Sequence, residues 1–345
     1  PSATRIVLDI HSLTHITDEE YENLLRLAKD SFAHGVLLEL RSVSKETASL
    51  IKKAGLEKYF YMEWEVKEVS IEGAQLIGSG LCGEVYRIRP DEILKLYRPN
   101  CDYEMISKEK KYAREALICG IPTAISKEIV RVGNRYGIIF EMLDADNFAT
   151  AIINDLPHLE GYARTFSRLA KQVHAVEPPP GKFPDRFAEQ IELFHNNVVL
   201  TDEENERIEK IIKTMPRAKT CIHGDYHPGN IMKVGDELYF IDMGDFAVAH
   251  PYEDVAQIFL LTAPGFSPDR IQKGTTKMEP AERARFIEYF LDEYFDHPSE
   301  EALKKELNEI YKFALMRIFF FIENFPSGTK ENTELIRKLL KLISL

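Results

Sequence analysis

Residues 77–86 read IGSGLCGEVY, and no other stretch restricts the fold as much. Gly78, Gly80 and Gly83 stand in G-x-G-x-x-G spacing, with Ser79 between the first two and Val85 just beyond. Glycines so placed let a backbone turn tightly over phosphates with no Cβ in the way. A dinucleotide-binding fingerprint has the same letters, but there the loop opens a helix. Here AQLIGSG before the loop and EVYRIRP after it are both strand-like, and EILKLYR follows as another strand. Strand, glycine loop, strand argues for a hairpin that covers phosphates. A purely structural glycine hairpin has the same local pattern, so the downstream residues decide between the two.

Lys95 is an isolated cation among the apolar residues of EILKLYR. On an edge strand such a Lys faces solvent; after a glycine hairpin it suits a clamp on the α- and β-phosphates of a nucleotide. Its orienting carboxylate is expected on the helical stretch near 103–119, where Glu109 and Glu115 both qualify. Glu109 is preferred, since it leaves about three helical turns before Pro122. Further on, CIHGDYHPGNIM (221–232) is followed by IDMG (241–244). Asp225 is placed to accept or orient the proton of an attacking hydroxyl, and Asn230 to offer Mg²⁺ a carbonyl oxygen. Asp242 would supply the carboxylate that bridges the metal to nucleotide phosphates. His223 and His227 have H-x-x-x-H spacing, but Gly224 and Pro228-Gly229 break the helix a zinc pair needs. His223 is read as a loop brace, and His227 has no role assigned. Glycine hairpin, strand Lys, helix Glu, base loop and metal Asp occur in the order a two-lobed phosphoryl-transfer enzyme requires.

HGDYHPGN…IDMGD resembles the aminoglycoside phosphotransferase and choline-kinase-like branch of the protein-kinase-like fold, with its H-G-D-x-x-x-x-N loop and downstream I-D. The likeness runs from about 65 to 330 and implies ATP or GTP with Mg²⁺, and phosphorylation of a hydroxyl on a small acceptor of the aminoglycoside or choline kind. It also implies that Glu141, Met142 and Leu143 form the hinge against the nucleotide base and that Asp254 steadies the catalytic loop. An amine of the acceptor is expected against acidic side chains of the C-terminal helices, Glu323 among them. A protein kinase is disfavoured, because only about a dozen residues separate Asp242 from Asp254 and no A-P-E segment occurs.

Residues 5–60 alternate strand, helix, strand, helix, which predicts parallel strands with right-handed crossovers. Thr17 and Glu20 form a capping box for the first helix, which Gly35 ends; Ser44 caps the second, with Gly55 past its end. RIVLDIHSLTHITDEE and VSKETASLIKKAGLEKYF look like the later part of a STAS domain, with Thr17–Glu20 in place of that family's phosphorylatable loop. The expected fold is α+β: a STAS-like βαβα segment (1–64), a small antiparallel-sheet N-lobe (65–143) and a mainly helical C-lobe (144–345) with catalytic loop and substrate site. The alternative function is a nucleotide-binding signalling scaffold, its STAS-like segment making a protein or dimer contact.

Composition narrows the partners. A formal net charge of -12 disfavours non-specific binding to nucleic acid or an anionic membrane. The four Cys (Cys82, Cys101, Cys119, Cys221) show no C-x-x-C pair, as expected of free thiols in a reducing cytoplasm. The most apolar stretch, FALMRIFFFIENF, is interrupted by Arg317 and Glu323 and is too short to span a bilayer.

Overall fold

A computed structural model of the protein describes all residues except 1–4, 11–16, 35, 54–55, 57–58, 65, 81, 198, 268, 325–327 and 345. The chain divides into two compact units, residues 1–106 with 127–139, and residues 107–126 with 140–345.

The first unit opens with β1 (Arg5–Asp9), α1 (Asp18–Ala33), β2 (Leu37–Val43), α2 (Lys45–Lys53) and β3 (Phe60–Trp64). Its strands form a three-stranded parallel sheet in the order β1-β2-β3. The parallel pairing agrees with the sequence pattern, which does not reveal β3. Ala28 of α1 and Ala48 and Ile51 of α2 pack with Leu38, Leu40, Val43 and Phe60 of the strands as one core. The capping box is formed: Thr17 N–H donates to Glu20 Oε2 (2.9 Å), and Glu20 N–H to Thr17 Oγ1 (3.3 Å). Ser44 caps α2, accepting from Thr47 N–H at 3.1 Å. Gly35 and Gly55, the expected helix stops, and residues 11–16 of the STAS-like loop lie outside the described residues.

Next come β4 (Lys67–Glu68), β5 (Gln75–Ser79), β6 (Gly83–Arg89), β7 (Glu92–Tyr97), α3 (Tyr103–Ile118), β8 (Ser126–Val132) and β9 (Arg135–Glu141). The strands make a six-stranded sheet, β4-β8-β9-β7-β6-β5. β5/β6 and β6/β7 pair antiparallel; the short β4 adds to β8 in parallel. Gly133, at φ +60°, starts the two-residue Gly133-Asn134 turn between β8 and β9. Leu94, Leu96, Val130 and Ile139 are the buried centre of this sheet.

The second unit continues with β10 (Asp146–Asn147), α4 (Phe148–Asn154), α5 (Leu159–His174), α6 (Arg186–His195), α7 (Asp202–Thr214) and β11 (Thr220–Ile222). It ends with β12 (Ile231–Val234), β13 (Glu237–Phe240), β14 (Ala247–Ala249), α8 (Tyr252–Thr262), α9 (Asp269–Thr276), α10 (Pro280–Tyr294), α11 (Glu300–Asn324) and α12 (Thr329–Leu342). Every residue of α8 from Glu253 to Thr262 is buried, and α9, α10 and α11 pack against this helix. Phe166 of α5, Phe286 and Phe290 of α10 and Phe313 of α11 are almost wholly withdrawn from water. Each such ring contributes about 1.5–3 kcal/mol of burial. The small sheets β10-β12-β13 and β11-β14 flank the loop that carries Asp225. Among the described residues, no helix is long and apolar enough to cross a membrane.

Candidate active site

In the first unit, sheet register assembles the glycine hairpin. Gly78 pairs with Val85, and Val85 pairs in turn with Lys95, so the three line up across β5, β6 and β7. Gly80 N–H donates to Gly83 O (2.8 Å) and closes the turn. Gly83 has no tolerance for a side chain, since a Cβ there would lie 2.2 Å from Leu96 O. Ser79, Gly80 and Cys82 are exposed at the tip, and Leu81 lies outside the described residues. Arg98, which no sequence motif marks, braces the tip from below. Its N–H donates to Cys82 O (2.9 Å) and its Nη2 to Gly80 O (3.3 Å). Lys95 Nζ lies 4.8 Å from the centroid of the Tyr97 ring.

In the second unit, the loop after β11 is fixed from several sides. Buried Asp254 of α8 accepts from His223 N–H (2.7 Å) and Gly224 N–H (2.8 Å), and contacts His174 Nε2 at 3.2 Å. Burial alone would raise its carboxyl; His174 and His223 hold it below its ordinary value. His223 Nε2 lies 3.1 Å from Ile241 O and its Nδ1 3.2 Å from Asp225 N. A carbonyl only accepts and an amide N–H only donates, so His223 carries its proton on Nε2. It thereby ties the Asp225 loop to the segment that leads to Asp242. Tyr226 stacks on Phe166 (centroids 4.2 Å apart) and donates to Phe166 O at 2.6 Å, anchoring the loop in the core. Gly224, at φ +81°, rests against the chain at Asp245, where a Cβ would come within 2.0 Å of Asp245 O.

The structure brings Asp225 and Asn230 together. Asn230 Nδ2 donates to Asp225 O (3.0 Å) and Asp225 Oδ2 (3.1 Å). His227 Nε2 is 3.5 Å from the same Oδ2, while His227 Nδ1 accepts from Gly229 N–H at 3.0 Å. Gln257 Nε2 donates to Asp225 Oδ1 at 2.7 Å. Withdrawal from water pushes the Asp225 carboxyl up, but His227 and Arg317 outweigh it and hold the group well below the usual carboxylate range. Asp225 is therefore an ionised acceptor, better suited to orienting a hydroxyl than to removing its proton early.

Asp242 follows β13 at φ 62°, ψ 55°, in the left-handed region where a non-glycine residue is strained. Its side chain is exposed. Both partners of Asn230 Nδ2 are acceptor oxygens, which leaves the Asn230 carbonyl Oδ1 for another partner. Two hard oxygen donors, an amide carbonyl and a carboxylate, fit Mg²⁺, which takes its remaining positions from water and phosphates. Among the described residues, no group of three His, Cys, Asp or Glu converges on a common point as a metal cage.

The two candidate carboxylates of α3 have different surroundings. Glu115 is held by Lys182 Nζ at 2.6 Å. Glu109 is buried, and a Cβ at Gly244, two residues past Asp242, would lie 3.5 Å from its Oε2. Lys95 belongs to the first unit and Glu109 to the second. Glu141 ends β9 and braces the neighbouring chain. Its N–H donates to Ile125 O (3.1 Å), and its Oε1 accepts from Ile125 N–H (2.8 Å). Met142 and Leu143 follow in irregular, half-buried chain.

Three acidic and amide side chains of α8, namely Glu253, Asp254 and Gln257, are buried within an otherwise apolar helix. A sequence model of the phosphotransferase enzyme family (APH) matches residues 73–303, two-thirds of the chain. The chain belongs to the phosphotransferase enzyme family. Its fold is shared with a thermostable mutant of aminoglycoside phosphotransferase APH(4)-Ia in ternary complex with ADP and hygromycin B (10% identity, TM-score 0.55, covering 86% of this chain and 97% of that one). It is shared as well with a choline/ethanolamine kinase family protein from Mesorhizobium loti (15% identity, TM-score 0.50, 79% and 88% covered). A third is amicoumacin kinase hAmiN in complex with AMP-PNP, Ca²⁺ and Ami (14% identity, TM-score 0.50, 85% and 92% covered). No curated protein matches the sequence. This is the α+β, protein-kinase-like architecture of an antiparallel-sheet lobe and a helical lobe.

The likeness of residues 1–64 to a STAS domain is not supported by these comparisons, and the phosphotransferase match begins only at residue 73. Alternating strand and helix is what any parallel βαβ unit imposes. That pattern predicts the parallel pairing of β1 and β2 without specifying a family, and the STAS likeness behind the scaffold reading is not supported.

Proposed function

We propose that the protein transfers the γ-phosphate of ATP to a hydroxyl of a small, amine-bearing acceptor, with Mg²⁺ bound to Asn230 and Asp242. The observation that carries this reading is Asp225: an ionised carboxylate fixed at both oxygens, on a loop that also presents Asn230. Phosphoryl transfer passes through a loose transition state in which positioning and charge neutralisation dominate. A weakly basic Asp225 that aligns the acceptor hydroxyl, and takes its proton late, suits that chemistry. Mg²⁺ would neutralise charge on the transferring phosphate. The hairpin from Gly78 to Val85 covers the nucleotide phosphates with backbone N–H groups, and Lys95 clamps them. Of the two carboxylates of α3, Glu109 is kept as the one assigned to Lys95, on its place in the helix. The nucleotides and the divalent ion of the similar solved structures support ATP and a divalent metal here. The chain from Glu141 to Leu143 is assigned to the nucleotide base on resemblance alone.

For the acceptor, the second unit has a pocket of about 470 Å³ between α6 and α11, lined by Arg186, Glu189, Gln190, Glu192, Phe320 and Glu323. Three carboxylates against one guanidinium favour an ammonium group. Arg186 Nε and Gln190 Oε1 are buried without a hydrogen-bond partner, a donor and an acceptor that a polyfunctional ligand would satisfy. Arg186 also donates to Asp245 O (2.7 Å), the atom packed against Gly224 beside Asp225.

The test is ATP consumption with a panel of aminoglycosides, choline, ethanolamine, sugars and nucleosides, with Mg²⁺ and after chelation. Turnover should require both metal and an amine-bearing acceptor. Glu323→Gln should raise KM for that acceptor about tenfold, through the loss of one charge contact. Turnover with sugars alone, or an unchanged KM in Glu323→Gln, would overturn the acceptor assignment.

A further inference from the structure

We infer that Gln257 and Arg317 are a positioning pair that fixes the carboxylate of Asp225 for transfer. This rests on the functional reading above, in which Asp225 meets the acceptor hydroxyl. Gln257 comes from α8 and Arg317 from α11, and both side chains are almost fully buried. Gln257 Nε2 donates to Asp225 Oδ1 at 2.7 Å. Its other amide atom, Oε1, accepts from Arg317 Nε. Arginine is a donor only, so it forces the amide to show its oxygen to Arg317 and its NH₂ to Asp225. Without Arg317 the amide has no such reason to keep its polarity.

Arg317 is itself held in place. Its Nη2 donates to Gly224 O, lies 3.9 Å from Asp225 Oδ1, and its guanidinium carbon is 5.5 Å from the Phe321 ring centroid. One arginine thus secures both the backbone just before Asp225 and the amide that grips its side chain. On the other oxygen, Oδ2, Asn230 and His227 provide the opposing contacts. A carboxylate held at one oxygen can still turn about its Cβ–Cγ bond; held at both, it cannot. A buried ion pair is weak evidence for stability, because well-packed apolar residues serve as well. What apolar residues cannot supply is the orientation of an N–H toward Asp225 Oδ1.

The pair predicts a loss in kcat with little change in binding. Gln257→Leu keeps the volume and deletes the donor. In the full chain, with the acceptor on which the wild type turns over, kcat should fall on the order of 100-fold. KM for the acceptor and Kd for ATP should stay within about threefold. Arg317→Ala should lose a similar factor and regain part of it when free guanidinium is added, which a purely structural role would not allow. A kcat unchanged in Gln257→Leu overturns the proposal, as does a loss shared equally by kcat, KM and nucleotide affinity. A crystal structure of Gln257→Leu reads the same question without any acceptor. The Asp225 side chain should leave the rotamer it has here; an unmoved carboxylate would overturn the pair. A wild type that phosphorylates no acceptor would defeat the functional reading, and the crystal structure would still decide on the pair.

Discussion

Two residues show how closely the Asp225 loop is drawn. Gly224 combines φ +81° with a Cβ position 2.0 Å from Asp245 O, so alanine is excluded both by its backbone and by its bulk. Gly224→Ala should cost about 1–3 kcal/mol of stability. Denaturant titration would measure that cost, and activity should fall further than stability because Asp225 is the next residue. The cysteines give a second residue-level outcome. Burial, and then the neighbouring Cys119, push the Cys221 thiol up to about 12, while Cys82 is exposed at the glycine hairpin. Iodoacetamide at pH 8 should therefore modify Cys82 and spare Cys221, as peptide mass mapping would show. At this scale the sequence is informative where chemistry and spacing coincide, as at Asp225 and Asn230, which lie five residues apart and do meet. It is silent on Gln257 and Arg317. Their partners are 32 and 60 residues away, and an amide or a guanidinium at helical spacing has no local signature.

Among the elements, α8 and the β5–β6–β7 meander do the positioning. In α8, Asp254 holds the loop backbone, Gln257 the Asp225 side chain, and Glu253 the α6 residue Gln190 at 2.9 Å. Buried polar groups on one helix are costly unless each is paired, and their concentration here marks the helix as more than packing. In the meander, the Gly83 contact with Leu96 O keeps β6 close to β7 and in register with Lys95. Gly83→Ala should separate these strands. Calorimetric ATP titration should then show weakened binding, with adenosine much less affected, if the hairpin covers the phosphates as proposed. The hairpin is legible because a Gly-rich run between two β-patterned runs admits few alternatives. The third parallel strand, β3, is not, because its run FYMEW closely follows a helix end and lacks a flanking turn signal.

For the whole molecule, buried titratable groups set the pH range of stability. Burial pushes the Glu253 carboxyl up to about 7 from 4.5, against the opposing pull of Arg317, Gln190 and Arg186. The folded chain then binds more protons than the unfolded one between those values. The Glu253 contribution is complete below about 4.5 and is lost as pH rises through about 7. Glu253→Gln should therefore gain in Tm over the wild type as pH is raised from 5 to 8; a gain that shrinks over that range would contradict the assignment. His250 acts in the opposite direction. Burial, with His174 adding to it, pushes it down to about 4 from 6.5, so its contribution is present above 6.5 and lost as pH falls through 4. At this scale the family is readable from motif order, since HGDYHPGN and IDMGD follow a glycine hairpin and a strand Lys. In the N-terminal sheet the parallel pairing of β1 and β2 is readable but no relative is, because strand–helix alternation is shared by many parallel folds.

Transfer of the γ-phosphate from ATP, followed by ³¹P resonance of the acceptor product, bears most directly on the role of Asp225. The comparison is between the wild type and Asp225→Ala at matched nucleotide saturation. A phosphorylated acceptor should form with Mg²⁺ present, and its rate of formation should fall about 100- to 10,000-fold in Asp225→Ala with ATP still bound. A wild type that does not bind ATP, or an Asp225→Ala variant that transfers phosphate at the wild-type rate, would contradict that role.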